Sequence, residues 1–237
     1  MSHSGSYRVN ALLSLVRHAT DTSSIDRLHA GIEEEIGAAA QRTCDAEARC
    51  DPEYLDAVTD DECNRVEELL GLAFVAAQMF ITRFRSRVDW ASSVTQEQFG
   101  KRLSFASHAK EYDVLARGHP LKVNPAYTTI EVIHAVANYW KHEEDWPTRE
   151  EARDGRLIIV WDDGSKSLRT NEKRTIEIAV SIGMASGSTG NLRTAAKVLG
   201  VTDYANLSPI REELKDWAHS LYAMACSEIS QWSGDKS

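Results

Sequence analysis

Apolar positions recur along this chain at the three- and four-residue spacing of amphipathic helices. Val9, Leu12, Leu13 and Val16 define one face of a first helix over residues 7 to about 19. Ser23 or Ser24 can cap a second, carried by Ile25, Leu28, Ile32 and Ile36 towards Cys44. Asp51-Pro52 marks a break, with proline suited to a helix's first turn. A long helix follows over about 60–90, and within it residues 69–81 are nearly all apolar, broken mainly by Gln78. That run is shorter than the roughly 20 residues a bilayer requires. Apolar surface all round a helix therefore predicts burial on several sides, and this is the expected central core helix. Shorter helical pieces over 95–117 close at Gly118-His119-Pro120.

After Asn124-Pro125, a helix is expected over 127–146, stopped by Pro147. Arg156-Leu157-Ile158-Ile159-Val160-Trp161 is rich in β-branched residues and reads as a strand. The turn signal Asp162-Asp163-Gly164-Ser165 follows, and a second short strand at 167–170 would complete a hairpin. Helices resume at about 172–184, 191–199 and 209–231. The sum is a mainly α protein, a helical bundle with a long central helix and one small β-hairpin. Residues 1–237 are expected to form a single helical domain. The one seam is at 148–170, between a larger N-terminal bundle and a smaller C-terminal helical part.

Charge narrows the partners. The net charge is −9, with acid concentrated from Glu33-Glu34-Glu35 to Asp60-Asp61-Glu62, so nucleic acid would need a local basic patch. The acidic runs read as solvated helix faces. Cys44, Cys50, Cys63 and Cys226 offer no zinc-type spacing. The first residues carry no secretory pattern, so reduced thiols in a cytoplasm are expected, with no membrane association.

The candidate chemistry lies on the helix ending before Pro147. Glu131, His134, Asn138, His142 and Asp145 fall within about 80° of one another on a helical wheel. Glu131-x-x-His134 has the spacing by which di-iron bundles aim a carboxylate and an imidazole at one metal. No second Glu-x-x-His occurs; His108-x-x-Glu111, in reversed order, and His29 with Glu33 are the nearest substitutes. Acid–base work on RNA is the other chemistry. An imidazole takes a proton from a ribose 2′-hydroxyl while a cation stabilises the developing phosphate charge.

Asn138-x-x-x-His142 resembles part of the Arg-Asn-x-x-x-His signature of HEPN domains, four-helix bundles common among RNases of toxin–antitoxin and phage-defence systems. The resemblance covers one helix. It implies His142 as catalytic histidine and Asn138 as its polar companion. Ala137 stands where that signature has its arginine, so the cation would come from Lys141 or from Arg83, Arg85 and Arg87. For phosphate or RNA contact the candidates are Lys141, Arg83 and Arg87. The phrase Ala137-Asn138-Tyr139-Trp140-Lys141-His142 also resembles a motif of uncharacterised bacterial helical proteins, as does Leu70-Gly71-Leu72-Ala73-Phe74-Val75-Ala76-Ala77-Gln78. That likeness implies no particular activity.

Other features reduce to structure. Ala195-Ala196-Lys197-Val198-Leu199-Gly200-Val201-Thr202 has the look of a helix-turn-helix opening, but Pro209 would break a recognition helix, so DNA is disfavoured. The Gly-rich piece at 183–190 lacks a P-loop ending and reads as a connector, with Ser188, Thr189 or Asn191 as N-cap. No Gly-x-Ser-x-Gly occurs, and no cofactor is implied. Two functions stay open. One is an interaction or regulatory helical-bundle protein with a structural stripe, its partner a second copy or another protein. The other is a HEPN-like RNA-directed protein using His142, with a metal-binding bundle as a further alternative.

Overall fold

A computed structural model describes Arg17 and residues 20–49, 51–106, 114–142, 149–153, 156–160, 170–185 and 188–234. The expected first helix lies outside these apart from Arg17, as do His108, Glu111 and Glu143 to Trp146. The described residues are mainly helical, in six helices.

The first of them, α1 (Ser23–Glu47), buries Ile25, His29 and Ile36 on one stripe. Its N-cap is Thr22, one residue before the expected serines. The Thr22 hydroxyl is spent on the Asp26 carboxylate at 2.9 Å and caps no backbone N–H. The second helix, α2 (Pro52–Phe99), extends beyond the expected 60–90 at both ends. Asp51 caps it, accepting the Tyr54 N–H at 3.3 Å, and Pro52 supplies a preset first turn. Nothing in the sequence then breaks the helix until Gly100, whose left-handed φ of 69° returns its N–H to Gln96.

The two helices run antiparallel, stitched at three levels. Arg83 donates to the Asp21 carbonyl at 3.3 Å, the His29 Nε2–H donates to the Ala73 carbonyl at 3.1 Å, and Arg42 pairs with Glu62.

The third helix, α3 (Thr129–Lys141), starts in a reciprocal capping box. The Thr128 hydroxyl accepts the Glu131 N–H at 3.2 Å, and the Glu131 carboxylate accepts the Thr128 N–H at 2.9 Å. Ten of its thirteen residues are buried, which fits a helix packed against α2 on one side and later helices on the others. Two strands follow, β1 (Arg149–Arg153) and β2 (Arg156–Val160), paired antiparallel with Arg153 opposite Arg156. The expected second strand at 167–170 lies outside the described residues apart from Thr170. Asp154-Gly155, a strong short-range hairpin signal, separates the paired segments. Thr170 opens the next helix.

The chain closes with α4 (Thr170–Ser181), α5 (Asn191–Val198) and α6 (Ser208–Gly234). Trp217 of α6 is buried against Phe84 of α2, ring centroids 5.0 Å apart, and its Nε1–H donates to the Val114 carbonyl at 3.2 Å. The apolar core is lined chiefly by α2, α3 and α6.

Several glutamates serve as caps between helices. Glu67 of α2 accepts the Leu192 and Arg193 N–H groups at the start of α5, at 2.9 and 3.2 Å. Glu33 of α1 accepts the Leu207 N–H just before α6, at 2.5 Å, and the Arg211 guanidinium at 2.8 Å. A carboxylate against free N–H groups and a positive dipole end is stabilising at both places. The N-cap of α5 is therefore Gly190, with no side-chain cap, in place of the expected Ser188, Thr189 or Asn191. Asn191 instead ties down Ala185 through both its backbone N–H and its carbonyl.

Candidate functional site

Gln78 is the lone strongly polar residue in the apolar run of α2, and it is buried. A buried carboxamide must find partners for both ends. The polar stripe of α3 supplies them. The Gln78 Nε2 group donates to Asn138 Oδ1 at 2.7 Å and lies 3.3 Å from the His134 carbonyl and 3.4 Å from His134 Nδ1. At its other end, Oε1 accepts from the Lys141 ammonium at 2.5 Å. One turn of α3 above and one below therefore converge on a single α2 side chain.

Two turns away along α2, Gly71 allows the Trp140 ring to sit against the helix backbone. A Cβ built on Gly71 would come within 2.6 Å of Trp140 Nε1, well inside any tolerable contact. The two sequence phrases that stood out separately, 70–78 and 137–142, thus form one joint.

Glu131 points elsewhere. Besides the Thr128 N–H, it accepts from Arg174 of α4 at 2.8 Å, and Arg174 lies over the Tyr127 ring at 4.7 Å. Glu131 is only 2% exposed while Arg174 keeps about a third of its surface in solvent. The pair joins α3 to α4. Three residues of helical advance turn His134 towards α2 instead. The Glu131-x-x-His134 pair consequently serves two different neighbouring helices and does not converge on one point. Among the described residues no group of three His, Cys, Asp or Glu side chains gathers as metal ligands. Of the other candidates, Glu33 is committed to α6, and His29 is buried with its Nε2–H on the Ala73 carbonyl.

His142 is the C-cap of α3, exposed, with φ −119° and its N–H returned to the Tyr139 carbonyl at 3.2 Å. Lys141 is exposed beside it, and Asn138 is half-buried with its oxygen turned to Gln78. Arg83 and Arg87 are exposed on α2, but at about 100° per residue they lie roughly 140° and 180° around that helix from Gln78. The fold therefore assembles Asn138 and Lys141 with Gln78 and His134, and turns Arg83 and Arg87 away from that group.

The residues overlooked in the sequence are Gln78 as the hub, Arg174 and Gly71. A single amide in an otherwise apolar run was the available signal for the first. In the helix-turn-helix candidate, Pro209 falls in the first turn of α6, and Ile210, Leu214 and Trp217 of that helix are buried in the core. No helix of the described residues is long and apolar enough to cross a membrane. No family model, curated protein or solved structure matches this chain.

Proposed function

We propose that this chain is an interaction or regulatory protein of the bacterial cytoplasm. In this reading it is a helical bundle built on the long helix 52–99 as its centre, with one small β-hairpin at 149–160. Its polar stripe holds helices together and performs no reaction. The observation that carries the reading is the buried Gln78 hub. Its two ends take Asn138 and Lys141, while Glu131 is divided between its own helix cap and Arg174. Side chains spent in this way fasten one helix to another.

The second reading, a HEPN-like RNA-directed protein, is favoured by one feature. His142 and Lys141 stand exposed together at the end of α3, one turn from Asn138. A general base at His142 and a cation at Lys141 are the minimum for cleavage next to a 2′-hydroxyl. Incubating a mixed-sequence RNA with the wild-type chain and with His142→Ala separates the two. The structural reading expects no cleavage above background, or the same cleavage in both. Cleavage by wild type that disappears in His142→Ala would replace it with the RNase reading.

A further inference from the structure

Between residues 70 and 81, α2 is buried at every position except Leu72, Val75 and Met79. Leu72 is 50% exposed, Met79 65% exposed, and Val75 half-buried. Alternate spacings of three and four place these on one narrow stripe, the pattern by which one helix seats against another. The neighbouring α1 widens it. Arg65 of α2 lies 3.8 Å from Glu35 of α1. In an antiparallel pair, two turns back from Glu35 and two turns on from Arg65 bring Leu28, 54% exposed, beside Leu72. Contiguous apolar surface of this kind, rimmed by charge, marks an interaction face.

The rim identifies the occupant. Glu68 stands exposed one turn before Leu72, and Arg83 stands exposed one turn after Met79. Glu68 makes no ion pair among the described residues, and the contact of Arg83 there is the Asp21 carbonyl. The stripe therefore runs acid, apolar, apolar, apolar, base, with the two charges equally distant from its midpoint beside Val75. Such an order is complementary to itself when reversed. We propose that α2 docks antiparallel on α2 of a second copy of this chain, about a twofold axis crossing the stripe beside Val75. Leu72 of each copy then packs on Met79 of the other, and Glu68 of each meets Arg83 of the other, as a twofold interface requires.

This names the partner for the interaction reading above and rests on it. The test is sedimentation equilibrium of the full chain. The wild type is expected at twice the 26.4 kDa chain mass. Met79→Asp is expected as a folded monomer, since the residue is exposed and its loss leaves the core intact. Glu68→Arg and Arg83→Glu each convert two attractive contacts to repulsive ones and are expected to weaken dimerisation by about tenfold. The double reversal restores both contacts and is expected to recover most of the loss.

A wild type that stays monomeric at about 100 µM would overturn the proposal. So would a dimer indifferent to Met79→Asp, or a double reversal no better than the single ones. None of these results touches the RNA cleavage comparison, so failure of the dimer and failure of the interaction reading stay distinguishable.

Discussion

Replacing Glu131 by alanine is the sharpest test of whether the α3 stripe is a fastener. The carboxylate is 2% exposed and carries two jobs, closing the Thr128 cap at 2.9 Å and holding Arg174 at 2.8 Å. Loss of a helix cap costs about 1 kcal/mol. Removing one member of a fully buried ion pair costs roughly 3–5 kcal/mol, because its partner is stranded. Arg174 is about one-third exposed and can turn to water, so its share is discounted to about 1–2 kcal/mol. The expected total for Glu131→Ala is about 2–3 kcal/mol.

Glu131→Gln keeps the shape and one acceptor oxygen, and is expected to lose only about 1 kcal/mol. Urea unfolding followed by circular dichroism reads both, at constant m-value. A Glu131→Ala protein within about 0.5 kcal/mol of wild type would refute the reasoning, since a surface substitution behaves that way.

Two further outcomes follow from the same contacts. Gly71→Ala is expected to destabilise by about 1–3 kcal/mol despite alanine's better helix propensity, because its Cβ has no room beneath Trp140. Trimming Trp140 to leucine in the same chain is expected to recover part of that difference in thermal unfolding, and a Gly71→Ala protein as stable as wild type would contradict the contact. Stability is also expected to fall as pH drops below about 6.5, in part through His29, whose folded-state pKa is lowered by burial against the bond to Ala73. The unfolded chain takes up a proton there that the folded imidazole refuses, since a protonated Nδ1 would have no partner in the core. The contribution is complete above about pH 6.5 and declines by at most about 1.4 kcal/mol per pH unit down to the folded pKa. His29→Gln is expected to flatten that part of the pH profile; an unchanged slope would remove His29 from the account.

The sequence revealed helices more readily than their partners. Asp51-Pro52 and the apolar run around Phe74 are local signals, and each governs local structure. The ends of α2 and α3 were harder, because a helix stops where capping and packing decide, as at Gly100 and His142.

The partners of the α3 stripe were hidden for a different reason. Glu131 and His134 share a helical face at the spacing of metal ligands, yet Arg174 and Gln78, which claim them, lie 43 and 56 residues away in sequence. The acidic residues show the same limit. Glu33 looks like a solvated charge in a run of acid and Glu67 like one more helix-face carboxylate, and only the fold brings the starts of α6 and α5 against them. Gln78 carried the one readable hint, a polar residue where periodicity demanded apolar ones.

The central claim is that the polar stripe of α3 fastens it to its neighbours, with Asn138 holding α2. The coupling between Gln78 and Asn138 tests it most directly, through unfolding free energies of wild type, Gln78→Ala, Asn138→Ala and the double variant. The 2.7 Å bond between the two amides predicts a coupling of about 1 kcal/mol, the two single losses exceeding the double loss by that amount. Strictly additive losses would contradict it and leave Asn138 free for another role.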